Sequence, residues 1–468
     1  VDSSQFLPAA QLREWHEELD DMGLRATGSP IHEHYIDVLI ARLQQAGLTQ
    51  VHSEPVPVQR WTAGRWSLES AERSSEHIAT SSYIPYSGST PAGGVTGPLA
   101  RVGPGTVPAP GSLAGKIAVL EVPSPPVTYS VLTEIAYARW DPDNLLDPSA
   151  PYSRPWGGIS DLISLLDTLP AAGAVGCIAI IDLPAEAARG SYFPYDGRVR
   201  IVPGVFVDRA VRPHLNALLA AGAQVRLTLT AATEPFVSRN VLGLIPGRTD
   251  ELVILNSHTD GTNAVEDNGP NAIIAMAQYL CRLPPASLPR SVMVSLTTGH
   301  FHGGIGQVTL AREHRDSTFR RAACALTLEH LGALEWAEDA DGQMALTGRP
   351  ELGVIFVPEN TAMVGASLAA LRRAGNGPAL VLPPYVPAPD SPSGYGWPGE
   401  GTQLWTDGRV MTANYIAGPT YLLNWGIPTL AQCDISRMRS EAISFTQMAL
   451  DLARTPRSLL SSLDLTPR

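Results

Sequence analysis

The stretch Leu252 to Asp267, LVILNSHTDGTNAVED, constrains this chain more than any other. It opens on Leu252-Val253-Ile254-Leu255, a continuous apolar run that reads as a buried strand. The run ends in His258 and Asp260, and Asp267 follows where a helix is expected to start. Two later runs end alike: Val292 to Leu296 leads into His300 and His302, and Ala325 to Leu328 leads into Glu329 and His330. In open α/β sheets, ligands sit outside the carboxyl ends of the strands. Imidazole plus carboxylate is the ligand set for zinc or a similar divalent ion. One histidine after a strand is ordinarily a loop residue with its hydrogen bond satisfied. Three strand ends carrying these groups point to one site at the edge of a parallel sheet.

At 468 residues the chain exceeds one compact core, so two domains are expected. A net charge of −12 with no concentration of positive charge argues against a nucleic-acid partner. No apolar run reaches the length of a membrane span. Cys177, Cys281, Cys324 and Cys433 are far apart in apolar contexts and fit neither a CxxC metal site nor a disulfide framework. The chain opens at Val1 without a charged and then apolar leader; no signal peptide is visible, and a cytoplasmic location is favoured.

Along the chain, Pro8 to Leu48 reads as two helical parts separated by Arg25-Ala26-Thr27-Gly28-Ser29-Pro30, a turn able to cap the second. Strands are expected at Val51 to Val58 and Arg65 to Glu69. From about Tyr83 to Val237 the texture changes to short β runs, two helical patterns and frequent Gly and Pro, as in an inserted domain with its own small core. Within it, Ala138 to Gly158 is a long polar, aromatic and Pro-rich loop, expected to reach the site. The β/α rhythm then resumes, with strands Val241 to Ile245, Leu252 to Asn256, Val292 to Leu296, Ala325 to Leu328, Ala379 to Leu382 and Ile427 to Leu430. If Gly299-His300-Phe301-His302-Gly303-Gly304 is extended, His300 and His302 share a face.

Residues Asn240 to Ala277 (NVLGLIPGRTDELVILNSHTDGTNAVEDNGPNAIIAMA) resemble the zinc aminopeptidases of the M28 peptidase family, with their H-x-D and D-N-x-x helix start. The insert resembles a protease-associated domain through Gly115 to Val119, Ala172 to Gly176 and Ile201 to Val205. The fold implied is a three-layer α/β/α, phosphorylase/hydrolase-like domain with a mixed, mostly parallel sheet, built from residues 1–82 and 238–468. A β-rich protease-associated-like domain, residues 83–237, is inserted in it. The resemblance implies His258, Asp267 and Glu329 as metal ligands and Asp260 as the group that orients the first of them.

The same resemblance exposes departures. Where the family has two adjacent glutamates, this chain has Gly299 and His300, and the family's last histidine ligand has no counterpart in Pro428 to Asp434. One divalent ion, zinc above others, is therefore expected, with His300, or alternatively His302, replacing the glutamate base. His330, Tyr395, Trp397 and Glu400 are the substrate-binding candidates. The implied activity is a divergent metal-dependent reaction on an amide or related bond of a small molecule or peptide. The alternative is an inactive relative that binds a peptide or protein partner. Oligomeric state is left open.

Overall fold

The computed structural model describes residues 1–71, 76–123, 127–152, 154–375 and 377–465. Strands β1 (Thr49–Ser70) and β2 (Gln224–Ile245) pair antiparallel along most of their length and bracket the insert. The two short strands expected at Val51 to Val58 and Arg65 to Glu69 are thus one continuous element, with register shifts between Thr49 and His52 and between Ala63 and Trp66. Beyond β2 come β3 (Leu252–His258), β4 (Ser291–Thr297), β5 (Ala322–Leu328), β6 (Gly353–Phe356), β7 (Ala379–Leu382) and β8 (Thr412–Ala417). Their spatial order is β2-β4-β3-β5-β8-β6-β7. β3 is parallel to β4 and β5, and β5 is parallel to β8. β2 and β6 run against their neighbours β4 and β8, so the sheet is mixed and mostly parallel.

Every residue of β3, β4 and β5 is buried, the physical reason they read as apolar runs without alternation. On one face, helices α1 (Ala9–Asp21), α2 (Pro30–Gln45), α3 (Gly269–Cys281) and α4 (Ile435–Arg454) cover the sheet. Leu12, Leu39, Ile273 and Met438 meet Val253, Val294 and Leu326 there. On the other face Ile254, Met293 and Ala325 pack against Leu310, Phe319 and Leu404. The result is the expected α/β/α layering. The final strand expected at Ile427 to Leu430 is not one; β8, which carries more polar side chains, takes the place beside β5.

Leu162, Leu166, Ile178, Val205 and Leu215 of the 83–237 segment belong to a second buried cluster that also takes in Trp61, Leu68 and Phe301 from outside it. The strands of the segment continue the main sheet outward from β2, through Val95–Arg101, Ile117–Glu121, Gly176–Ile180 and Gly204–Val207. The loop expected to reach the site goes elsewhere. Its first residues, Ala138–Trp140, pair antiparallel with β7 and cap the far edge of the sheet. Arg154, later in the loop, is ion-paired with Glu351 at 2.6 Å; Ser153 lies outside the described residues.

Helix α3 starts directly on the ends of β3 and β5. A Cβ on Gly269 would lie 2.1 Å from the Leu328 carbonyl oxygen and 2.2 Å from Ser257 Oγ. Gly269→Ala should therefore push α3 off the strand ends and cost about 1–3 kcal/mol. Urea unfolding checks this: the midpoint falls with an unchanged slope, whereas an unchanged midpoint contradicts the packing described.

Candidate metal centre

Three strand ends and one loop converge here. His258 closes β3, and its Nδ1 lies 2.8 Å from the Asp260 carbonyl oxygen. A carbonyl only accepts, so Nδ1 donates there and Nε2 is the nitrogen left to face the cluster. His330, just past β5, repeats the arrangement: Nδ1 donates to the Ala417 carbonyl at 2.6 Å. Its backbone is held at φ +57°, a left-handed conformation that costs energy in a non-glycine residue. Glu329 Oε1 accepts from Asn414 Nδ2 at 2.8 Å and from the Glu400 amide at 3.0 Å.

The second donor of each residue then faces the others. His258 Nε2 is 3.6 Å from Glu329 Oε2 and 3.6 Å from Glu266 Oε1. His330 Nε2 is 3.9 Å from each of the same two carboxylates. His258 Nε2, His330 Nε2, Glu329 Oε2 and both oxygens of Glu266 are buried with no hydrogen-bond partner among the described residues. Unpaired buried polar atoms are costly; a cluster of ligand-type atoms left so suits a cation.

Burial opposes charge on His258, but Glu266 and Glu329 outweigh it and push its pKa well above the imidazole range. Burial likewise opposes charge on Glu329, yet His258 and His330 hold its carboxyl down to about 2. The atoms of His258, Glu329 and His330 lie within 4.8 Å of one another, as do those of His258, Glu266 and His300. The chemistry of both donor sets fits zinc.

His300 sits at the mouth, with its side chain 11% exposed. Its Nδ1 is 2.9 Å from Glu400 Oε2, and its Nε2 is 3.8 Å from Glu266 Oε1. Burial and the neighbouring His258 disfavour its cation; Glu400 and Glu266 reverse that and raise its pKa. Thr297 Oγ1 donates to the other Glu400 oxygen. Burial raises the Glu400 pKa, with His300 pulling against it.

Asp260 holds the His258 ring through its backbone carbonyl, not through its carboxylate. Its carboxylate accepts from the amides of His300 (3.1 Å) and Phe301 (2.9 Å) and from Thr27 Oγ1 (2.6 Å), fixing the turn that carries His300. That turn, His300–His302, is a 3-10 helix rather than an extended segment. It sends His302 away from the cluster, to pack on Tyr86 and across from Gly197.

Asp267 is committed elsewhere. Arg25, fully buried, donates to both of its oxygens, at 2.7 and 2.6 Å. The ligand role expected for Asp267 gains nothing from that geometry; Glu266, one residue earlier, faces the cluster instead. Gly261 permits this crowding: a Cβ there would lie 2.5 Å from both Asp267 Cγ and Glu266 Oε2. Of the substrate-binding candidates, His330 and Glu400 belong to the cluster. Trp397 is buried, and its Nε1 donates to Asn414 Oδ1 at 2.9 Å, so it supports Glu329 from behind. Tyr395 is exposed in a short hairpin with Val386–Pro387.

Sequence reasoning missed Arg25, Glu266 and Tyr195. The Glu266-Asp267 doublet was a signal for the second; the RATGSP turn held the first. Nothing local marked Tyr195, whose ring stacks on His300 with centroids 5.5 Å apart.

No protein-family model and no curated protein matches the chain. Solved structures do. A zinc aminopeptidase from Bacillus subtilis superposes with a TM-score of 0.65 at 15% identity, over 96% of this chain and 97% of that one. A peptidase M28 precursor from Shewanella amazonensis gives 0.64 at 19% identity, over 96% of both chains. An aminopeptidase from Aneurinibacillus gives 0.58 at 16% identity, over 95% of this chain and 94% of that one. The chain has the fold of the M28 zinc aminopeptidases. The aminopeptidase fold thus extends over the insert as well as the main sheet, and the cluster lies at its strand ends.

Arg25→Met should destabilise by about 3–5 kcal/mol, because Asp267 is left charged and buried. Arg25→Met/Asp267→Leu should recover most of that loss. Urea titration reads both variants; a single variant within about 1 kcal/mol of wild type, where breaking a buried pair should cost several-fold more, would contradict the pairing.

Proposed function

We propose that this chain is a metal-dependent enzyme acting on an amide or related acyl bond of a peptide or small molecule, with one divalent ion, zinc, at its centre. The observation that carries this is the convergence of His258 Nε2, Glu329 Oε2 and His330 Nε2, buried and unpaired. Three protein ligands is the count of catalytic zinc sites. A second ion is disfavoured by two features. His258 offers only Nε2, because Nδ1 is spent on a carbonyl, and Arg25 already neutralises Asp267.

When bound, the ion would polarise the scissile carbonyl. The chain's own residues handle the proton. Glu266 Oε1 and His300 Nε2 face each other at 3.8 Å, so a water attacking the carbonyl can pass its proton to this pair, which returns it to the nitrogen that leaves as the C–N bond breaks. Glu400 holds His300 Nδ1 and stabilises the imidazolium that results. Gly299, at the family's glutamate position, has φ +77°, and a Cβ there would lie 2.6 Å from Ile305 Cγ2. That backbone favours glycine, so the carboxylate is supplied from elsewhere. A cluster with unpaired ligand atoms at the strand ends favours this reading over a partner-binding role.

Elemental analysis should find one zinc per chain and almost none in His258→Ala or His330→Ala. In the zinc-loaded protein, Glu266→Gln and His300→Ala should each slow amide hydrolysis by about 10²–10⁴-fold while retaining the ion. A ratio near two, or no zinc at all, would remove the one-ion reading. Full turnover in both proton-handling variants would remove their assignment.

A further inference from the structure

Every side chain of the centre described so far comes from residues outside the 83–237 insert. Tyr195 is the exception. Its ring stacks on His300 with centroids 5.5 Å apart and planes 25° apart. His258 stacks on His300 as well, at 4.1 Å and 14°. No ring contact joins Tyr195 to His258 among the described residues, an arrangement that fits the two rings flanking one imidazole. The ring is thereby held out of plane by Tyr195 and His258, and in plane by Glu400 on Nδ1.

The insert also grips the turn that carries His300. Gly303 donates its amide to the Tyr195 carbonyl at 2.9 Å, and Tyr86 donates its hydroxyl to the Phe301 carbonyl at 2.5 Å. A Cβ on Gly303 would lie 2.9 Å from the Asp196 carbonyl oxygen, so the two backbones are in direct contact. The Tyr195 ring also packs on Phe301 at 5.1 Å. The Tyr195 hydroxyl makes no hydrogen bond to the described residues, so the contact with His300 is made by the ring rather than the oxygen.

We propose that Tyr195 is a positioning residue: its ring, supplied by the insert, keeps the His300 imidazole in register with Glu266 and Glu400. This rests on the function proposed above, because His300 matters only if it handles a proton there. The insert is then part of the centre's wall. Removing the aromatic plane leaves one face of His300 open and lets the imidazole rotate off Glu400.

The test uses the full chain with zinc as the added probe. Proton NMR of the labelled imidazoles should show a low-field resonance for the proton between His300 Nδ1 and Glu400, identified by its loss in His300→Ala. Tyr195→Phe keeps the ring and should keep the resonance. Tyr195→Leu fills the space without an aromatic plane; there the resonance should exchange with water at least about ten-fold faster or vanish. Tyr195→Ala should do the same, and thermal melts show whether either variant is folded. Absence of the resonance from wild type, its equal persistence in the folded Leu or Ala variant, or its loss in Tyr195→Phe would each overturn the proposal. Failure of the underlying reading appears separately, as unmoved His258 and His330 resonances when zinc is added.

Discussion

Five carboxyl groups, on Asp260, Glu266, Asp267, Glu329 and Glu400, lie buried beside the strand ends, with Arg25 as the one buried guanidinium among the described residues ion-paired to any of them. Arg25 takes Asp267, and backbone amides with Thr27 take Asp260. Glu266, Glu329 and Glu400 are left to His258, His300 and His330. Without an ion, the raised pKa values of His258 and His300 offset that surplus of negative charge. A divalent cation would do so with shorter bonds and no unpaired atoms. The folding of α1, the RATGSP turn and the ends of β3 and β5 is bound to this balance, since each contributes a charge or holds one.

The sheet was legible because its central strands are buried on both faces and carry unbroken apolar runs. β8 was not, since Thr412-Ala413-Asn414-Tyr415 turns polar side chains toward the site instead of a core. The strand ends carrying histidine and carboxylate were also legible, and His258, Glu329, His300 and His330 do meet. Which carboxylate of the Glu266-Asp267 doublet faces inward was not, because a buried arginine more than two hundred positions earlier decides it. His302 was misjudged for a local reason: glycines at 299, 303 and 304, all with positive φ, curl the segment into a turn instead of an extended strand end.

The insert is bound to the main sheet in two different ways. Through β2 its strands extend the sheet, and through Ala138–Trp140 it pairs with the opposite edge at β7. The segment around Tyr195 then reaches the site, while the polar loop runs to β7 and, through Arg154, to Glu351 and Gly418. A compositional argument favoured the loop; pairing of an open sheet edge claimed it first. That placement makes the insert a structural participant at both margins of the main sheet and at its centre.

The central claim is that one ion sits among His258, Glu329 and His330 while Asp267 stays with Arg25. Anomalous diffraction at the zinc edge from zinc-soaked crystals tests this most directly. The account predicts a single anomalous peak within about 2.0–2.2 Å of His258 Nε2, His330 Nε2 and a Glu329 oxygen, with the Arg25–Asp267 pair intact. A peak bonded to Asp267 with Arg25 displaced, or a second peak of equal height beside the first, would contradict it.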